Sequence, residues 1–395
     1  MKSSTDNLRY RSRRLMSIGR VTAAFVTVGL IAAACGGSET AAPAPQPAAP
    51  DAPTPEAAPF YDGKLLNVTI PFGEGGSGDF WGRFFANEIV NFLDGNVTSQ
   101  AENVPGGGSI IGTNQFFRSD GSEGTQILFA ASSTTVAWML EQGEVDFDLS
   151  KAYPILGIPG NTISHVRADS GYTSVRDILD APDDALLFGG RTPETGADVI
   201  VYVGHEVLGL TKKIRPVFGY ENLGAIQLAM DQGEVQFSSR NTDSMVSCCL
   251  DKVEDGTFIN LFTAGIPDAS GTLVRDPIFP EIPTLGEVYE ELYGVAPSGD
   301  AWEAFNTLRQ LTGGTAFFFL AHPDTPAEAL AELQEAANAM ANDDAVRAAV
   351  ANRLLEYDFV VGEELEASAR AFQSIDRGAV VFIRTFLRTA FGANF

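Results

Sequence analysis

Two glycine-rich turns are the stretches of this 395-residue chain best suited to hold a small ligand. The first is Ile70-Pro71-Phe72-Gly73-Glu74-Gly75-Gly76-Ser77-Gly78-Asp79, and the second is Glu102-Asn103-Val104-Pro105-Gly106-Gly107-Gly108-Ser109. Glycine lets the backbone approach a ligand closely and turn its N–H groups toward it. A helix that starts just after such a turn adds unpaired N–H groups and the positive end of its dipole. That arrangement suits an anion, most often a phosphate or a carboxylate. Neither turn ends in Gly-Lys-Ser/Thr, which excludes a P-loop. Residues 73–78 fit a Gly-x-Gly-x-x-Gly fingerprint, but the acidic residue expected about 20 positions on is absent. Neither turn is a Gly-x-Ser-x-Gly elbow, and Ser77 and Ser109 lack an evident histidine partner, so the chain reads as a binding protein and not an enzyme.

A third turn, Phe188-Gly189-Gly190-Arg191-Thr192-Pro193-Glu194-Thr195-Gly196-Ala197-Asp198, follows another apolar run. Arg191 is read either as a bidentate partner for a ligand carboxylate or as a surface arginine bonded to Glu194 or solvent. The hydroxyls of Ser132 and Ser133 either bond a ligand or cap the helix they begin. Phe72 and Tyr220 are candidates for an apolar wall, with core packing as the alternative for Phe72.

These phrases resemble the tripartite tricarboxylate transporter receptors, also called Bug proteins. That family carries Pro-Phe-x-Pro-Gly-Gly-x-Thr-Asp after its first strand and Glu-Asn-(Arg)-Pro-Gly-Ala-Gly-Gly after its second. Pro71, Phe72, Gly75, Gly76 and Asp79 match the first phrase; Glu102, Asn103, Pro105, Gly106 and Gly108 match the second. Glu74 stands where the family usually has Pro, and Gly78 where it has Thr. Further matches are Asp148-Leu149-Ser150-Lys151-Ala152-Tyr153, Gly219-Tyr220 followed by Gly233-Glu234-Val235, and Pro280-Glu281-Ile282-Pro283-Thr284-Leu285. The third turn resembles the family's glycine and hydroxyl turn in its second lobe, with Asp198 at the last position.

The resemblance implies an α/β, two-lobed type II periplasmic-binding-protein fold with a ligand cleft between the lobes. It implies a receptor that captures a small carboxylate-bearing solute, works as a monomer without a cofactor, and delivers the solute to membrane permease subunits. A sensor of the same fold, coupled to a signalling partner, is the alternative. The candidate ligand-binding set is Phe72, Gly73, Glu74, Gly75, Gly76, Ser77, Asp79, Gly106, Gly107, Ser132, Ser133, Gly190, Arg191, Thr192, Thr195, Asp198 and Tyr220. Glu74, Glu194 and Glu221 near one site would disfavour a polyanion and favour a monocarboxylate, a zwitterion or a ligand with a cationic group.

The N-terminus reads as an export signal over residues 1–34. Lys2, Arg9, Arg11, Arg13, Arg14 and Arg20 form a basic region ahead of an apolar run too short to span a bilayer comfortably. Ala32-Ala33-Ala34-Cys35-Gly36 resembles a lipoprotein processing box, which would make Cys35 a lipid anchor to the outer face of the cytoplasmic membrane. The alternative is a plain signal peptide. Residues 35–60 are an Ala/Pro-rich tether without the large apolar residues a core needs. Six of the 26 basic residues precede Cys35 but only one of the 51 acidic residues does, so the rest of the chain carries a net charge of about −30. Such a balance argues against nucleic-acid binding.

Apolar runs at 68–72, 126–130, 185–188, 214–217 and 258–264 read as strands, alternating with helical stretches at 80–93, 197–208 and 223–231. Residues 326–340 read as a helix, 357–361 as a further strand and 363–391 as one long helix. The lobe-one, lobe-two and completing segments fall at 61–159, 160–265 and 266–395, with crossings near 158–161 and 263–267. Cys248 and Cys249 are read as two thiols, at least one of them buried, because bridging neighbours is strained and uncommon; a disulfide, which an exported context allows, is the alternative. His165, His205 and His322 have no metal-ligand spacing, so no metal site is expected.

Overall fold

The computed structural model describes residues 58–268 and 270–395. The export signal, Cys35 and most of the tether lie outside the described residues. Strand–helix alternation builds β1 (Leu65–Ile70), α1 (Ser77–Ile89), β2 (Thr98–Asn103), α2 (Ile110–Arg118), β3 (Gln126–Ala131), α3 (Ser132–Met139) and β4 (Tyr153–Ile158). The chain then enters a second sheet with β5 (Thr162–Arg167), α4 (Val175–Asp180), β6 (Leu186–Gly189), α5 (Gly196–Val207), β7 (Ile214–Val217), α6 (Leu223–Gln232), β8 (Phe237–Asn241), α7 (Thr242–Glu254) and β9 (Phe258–Thr263). A short hairpin of β10 (Ile266–Pro267) and β11 (Leu273–Val274) leads to α8 (Leu285–Tyr293) and α9 (Asp300–Thr312). Strand β12 (Phe317–Ala321) returns to the first sheet, followed by α10 (Ala327–Ala341), α11 (Asp344–Ala349), α12 (Ala351–Leu354), α13 (Gly362–Arg370) and α14 (Arg377–Phe391).

The two sheets have the same plan. The first runs β2-β1-β3-β12-β4 and the second β7-β6-β8-β5-β9. In each, one strand runs antiparallel to its neighbours: β12 against β3 and β4, and β5 against β8 and β9. The other pairings, β1 with β2 and β3, and β6 with β7 and β8, are parallel. Helices cover both faces, so an inner strand is apolar on both sides. Strand β12 shows this: Phe318 packs into one core cluster while Phe317 and Phe319 pack against another. The first of these clusters runs from α3 through α5, α9 and α14, and so is shared by both lobes.

Two expected elements are corrected. Residues 357–361 form no strand; Val360 alone pairs with Gly157, as an isolated bridge. The long helix is broken. Helix α13 ends at Arg370, and α14 restarts behind Asp376, whose carboxylate accepts from the Gly378 N–H at 2.7 Å. That side chain gives the backbone a local alternative to helix continuation. Among the described residues, no helix is long and apolar enough to cross a membrane.

Candidate functional site

The carboxyl ends of the parallel strands face one another across the lobes. Ser77, just behind β1, donates from Oγ to Asp243 Oδ2, just behind β8, at 2.9 Å. Gly196, behind β6, lies so close to Ser133, behind β3, that a Cβ there would fall 2.4 Å from the Ser133 Cα. The first and third glycine turns therefore both face the opposite lobe, at the strand ends where ligands lie in open α/β sheets. The first turns of α1 and α5 bring their unpaired N–H groups to this interface.

Each lobe pins its turn with the same device. Asp79 is the third residue of α1 and Asp198 the third residue of α5. Asp79 Oδ2 accepts from the Gly75 N–H at 2.9 Å, and its Oδ1 accepts from Arg83 Nε at 2.7 Å and Asn103 Nδ2 at 3.0 Å. Asp198 Oδ2 accepts from the Arg191 N–H at 2.7 Å, and its Oδ1 accepts from Arg191 Nη2 at 2.8 Å and more loosely from Nε. Burial would raise the Asp79 pKa, but the Gly75, Asn103 and Arg83 donors outweigh it and hold the carboxyl below its ordinary range. Both aspartates thus spend their oxygens on their own turns. Arg191 pairs with Asp198, not with Glu194 or solvent alone.

The second turn is held by strain and hydroxyls. Gly106, Gly107, Gly108 and Ser109 all have positive φ, at 131°, 58°, 66° and 91°. Only the last carries a side chain, and its buried Oγ lies 2.9 Å from Thr134 Oγ1. Consecutive left-handed residues form a concave row of N–H groups that favours an anion. Asn103 Nδ2 donates to the Phe72 carbonyl at 3.0 Å and so ties the second turn to the first.

The remaining expected residues separate by position. Gly73, Glu74, Gly75 and Gly76 are exposed on the first turn, with Ser77 half-buried. Phe72 packs edge-on against Phe129, with ring centres 5.8 Å apart, and so contributes to the lobe-one core. Ser132 Oγ donates to the Ala316 carbonyl at 3.3 Å, while Ser133 lies under α5. Gly190 is buried, with no room for a Cβ beside the Tyr202 hydroxyl. Thr192 and Thr195 share a hydroxyl–hydroxyl bond of 2.8 Å on the exposed rim. Tyr220 packs partly against the core between the second sheet and α6–α7. Of the three acids expected near the site, Glu74 and Glu221 are exposed. Glu194 instead accepts from the Asn394 N–H at 3.1 Å and belongs to the C-terminal contact.

Three groups escaped sequence reasoning. Asp243 is the first: the order Asn241-Thr242-Asp243 behind a strand is a readable helix start, but nothing in it marks an inter-lobe partner. Burial raises the Asp243 pKa, opposed by the Ser77 hydroxyl, the Ser244 N–H and Arg353. The second is the buried chain of Thr242, Asp276 and Tyr357, in which both hydroxyls donate to Asp276 Oδ2, at 2.7 and 2.8 Å. The third is Arg309. Its guanidinium, 1 % exposed, donates to the Gly160 carbonyl at 3.3 Å and the Gly265 carbonyl at 2.9 Å, one at each inter-lobe crossing.

Cys248 and Cys249 are joined by a disulfide, which corrects the expectation of two thiols; Cys249 is buried. His205 sits among Phe188, Tyr202 and Phe237, and burial takes its pKa down to about 3, so it is neutral packing. Among the described residues, no three His, Cys, Asp or Glu side chains gather as metal ligands. Two cavities lie elsewhere. One of about 120 Å³ is lined by Asn67, Gln100 and Gln126. A groove of about 770 Å³ is lined by Asp300, Glu303, Phe382 and Phe386.

No family model matches the chain, and none of the curated proteins does. Solved structures do match its fold. MatC (Rpa3494) from Rhodopseudomonas palustris, with bound malate, is 15 % identical at a TM-score of 0.57, over 82 % of this chain and 98 % of that one. The periplasmic binding protein BugD is 18 % identical at 0.58, over 83 % and 99 %. Rpa4515 of R. palustris, with adipate, is 14 % identical at 0.58, over 83 % and 97 %. The chain therefore has the two-lobed α/β fold of these solute-binding proteins.

Proposed function

We propose that this protein is an extracytoplasmic solute receptor of the tripartite tricarboxylate transporter type. It captures a small carboxylate between its lobes and passes it to membrane permease subunits, anchored to the membrane through a lipid on Cys35. The observation that carries the reading is that two pinned glycine turns, each running into a helix N-terminus, both lie at the inter-lobe interface, the first through Ser77 and the other through Gly196. N–H groups of Gly73, Glu74, Gly76 and Ser77 and of Gly106 and Gly107 would hold one carboxylate, while the Gly75 N–H stays with Asp79. Thr192 and Thr195 would close on it from the other side, and Arg191 has donors beyond those given to Asp198. The malate and adipate bound by the two Rhodopseudomonas proteins support a carboxylate ligand. Glu74 and Glu221 leave negative charge on the rim, which favours a monocarboxylate or zwitterion over a tricarboxylate.

The test is thermal unfolding of the purified protein with mono-, di- and tricarboxylates, amino acids and NAD. A ligand at about 100 times its Kd adds roughly 2.7 kcal/mol to stability. A shift confined to one carboxylate class is expected. No shift with any carboxylate overturns the carboxylate reading, and a shift with NAD alone replaces it.

A further inference from the structure

Lobe two carries a second chemical feature, on the face of its sheet that packs against α6 and α7. Arg240, on β8, is 3 % exposed, and among the described residues it forms no ion pair with a carboxylate. The nearest acid acting on it, Asp231 on α6, is taken by Lys252 of α7 and by Gln227 Nε2. Burial accordingly pulls the guanidinium down to about 10, with Asp231 opposing. A buried cation without a counter-charge is costly and is normally paired. Its immediate partners supply hydrogen bonds, and the one acid acting on it, Asp231, is shared with Lys252. His165 and Ser238, cross-strand neighbours on the same face, leave both ring nitrogens and the hydroxyl without protein partners, as do Arg240 Nε and Asn260 Oδ1.

The exception is sulfur. Arg240 Nη1 lies 2.7 Å from Cys248 Sγ, while Nη2 donates to Gln227 Oε1 at 2.7 Å. The same Gln227 oxygen sits 3.0 Å from Cys249 Sγ. Cys248 is exposed and Cys249 is buried. A disulfide sulfur cannot neutralise a guanidinium, but a thiolate can. Basic neighbours are what turn an accessible thiol into a reactive one.

We propose that Cys248 and Cys249 are a reversible dithiol–disulfide pair in which Cys248, when reduced, is a thiolate held by Arg240. An external thiolate attacks Sγ of Cys248, the more exposed residue of the pair, the S–S bond breaks, and Cys249 leaves with the electron pair and takes up a proton. A second external thiolate attacks the sulfur the first one contributed, and Cys248 leaves as the thiolate beside Arg240. The protein gains two electrons, the two external thiols lose them on becoming a disulfide, and the second proton passes to solvent. Oxidised glutathione drives the same steps in reverse.

The experiment reads the ultraviolet absorbance of thiolate in the reduced, desalted protein at neutral pH, with peptide mapping after exposure to oxidised glutathione. The expected result is a thiolate signal that is lost in Cys248→Ser, kept in Cys249→Ser, and at least halved in Arg240→Gln. Mapping should show residues 248 and 249 cross-linked, two hydrogens lighter than the reduced peptide, which keeps Cys35 out of the readout. No thiolate signal in the folded wild type overturns the proposal, as does a signal that survives Cys248→Ser or a pair that never cross-links. If Arg240→Gln fails to fold, the contrast between the two serine variants decides. None of these readouts involves a solute, so their failure is distinct from failure of the carboxylate reading.

Discussion

At the scale of residues, one device recurs: an aspartate in the third position of a helix that reaches back to the N–H of the turn before it. Asp79 and Asp198 each also take an arginine, Arg83 and Arg191, so each turn is closed by a charge-assisted bond. Asp79→Ala should cost on the order of 1 kcal/mol in urea denaturation, because the Gly75 N–H and Arg83 lose their acceptor. It should also weaken solute binding. Asp79 and Asp243 titrate with opposite signs. The Asp79 pKa is lowered in the fold, so its stabilisation is present above the unfolded value of about 3.9 and is lost as pH falls through the folded value. The Asp243 pKa is raised, so the fold holds that proton more tightly, and stability falls as pH rises from about 3.9 through the folded value. Asp243→Asn should therefore melt higher than wild type at neutral pH, with the difference shrinking as pH falls through the folded value and gone below about 3.9. A melting series across that range checks the sign.

At the scale of elements, the sequence was legible where apolar runs and breakers coincide. The apolar runs at 68–72, 126–130 and 185–188 became β1, β3 and β6, and 326–340 became α10. It was opaque where burial comes from the partner elements. Strand β8, Phe-Ser-Ser-Arg-Asn, is almost wholly buried at the centre of the second sheet, yet has one apolar residue. Its polar side chains are matched across strands, as in the Ser164–Ser239 hydroxyl bond of 2.8 Å, and no single-strand pattern can show that. Strand β2 has no apolar alternation because it is an edge strand. The break before α14 depended on one carboxylate, Asp376, inside an otherwise continuous helical pattern. Among the candidate site residues, the glycines were legible from backbone need. The duties of Asp79 and Asp198 were not, because a helix-start aspartate reads the same whether its oxygens face a ligand or its own turn.

At the scale of the whole molecule, the crossings between lobes are governed by one buried cation. Arg309 holds Gly160 and Gly265 together, and burial takes its guanidinium down to about 10, with Tyr357 and Asp276 opposing. Arg309→Ala would strand both carbonyls. The expected cost is about 2–4 kcal/mol in chemical denaturation, with Arg309→Lys intermediate because an ammonium lacks the fork that reaches both.

The placement of β12 has a consequence for synthesis. The second sheet is drawn from one continuous stretch, β5 to β9. The first sheet waits for a strand whose neighbour is far upstream: the contact between Ser132 and Ala316 spans 184 residues. As the chain emerges, lobe two can close around its own sheet while β3 and β4 still lack the strand that separates them. Long-range closure of this kind is slow and leaves unpaired edges exposed. The first lobe, which holds two of the three glycine turns, is thus the last part of the molecule to become able to bind, and the part most in need of protection until Phe317–Ala321 arrives.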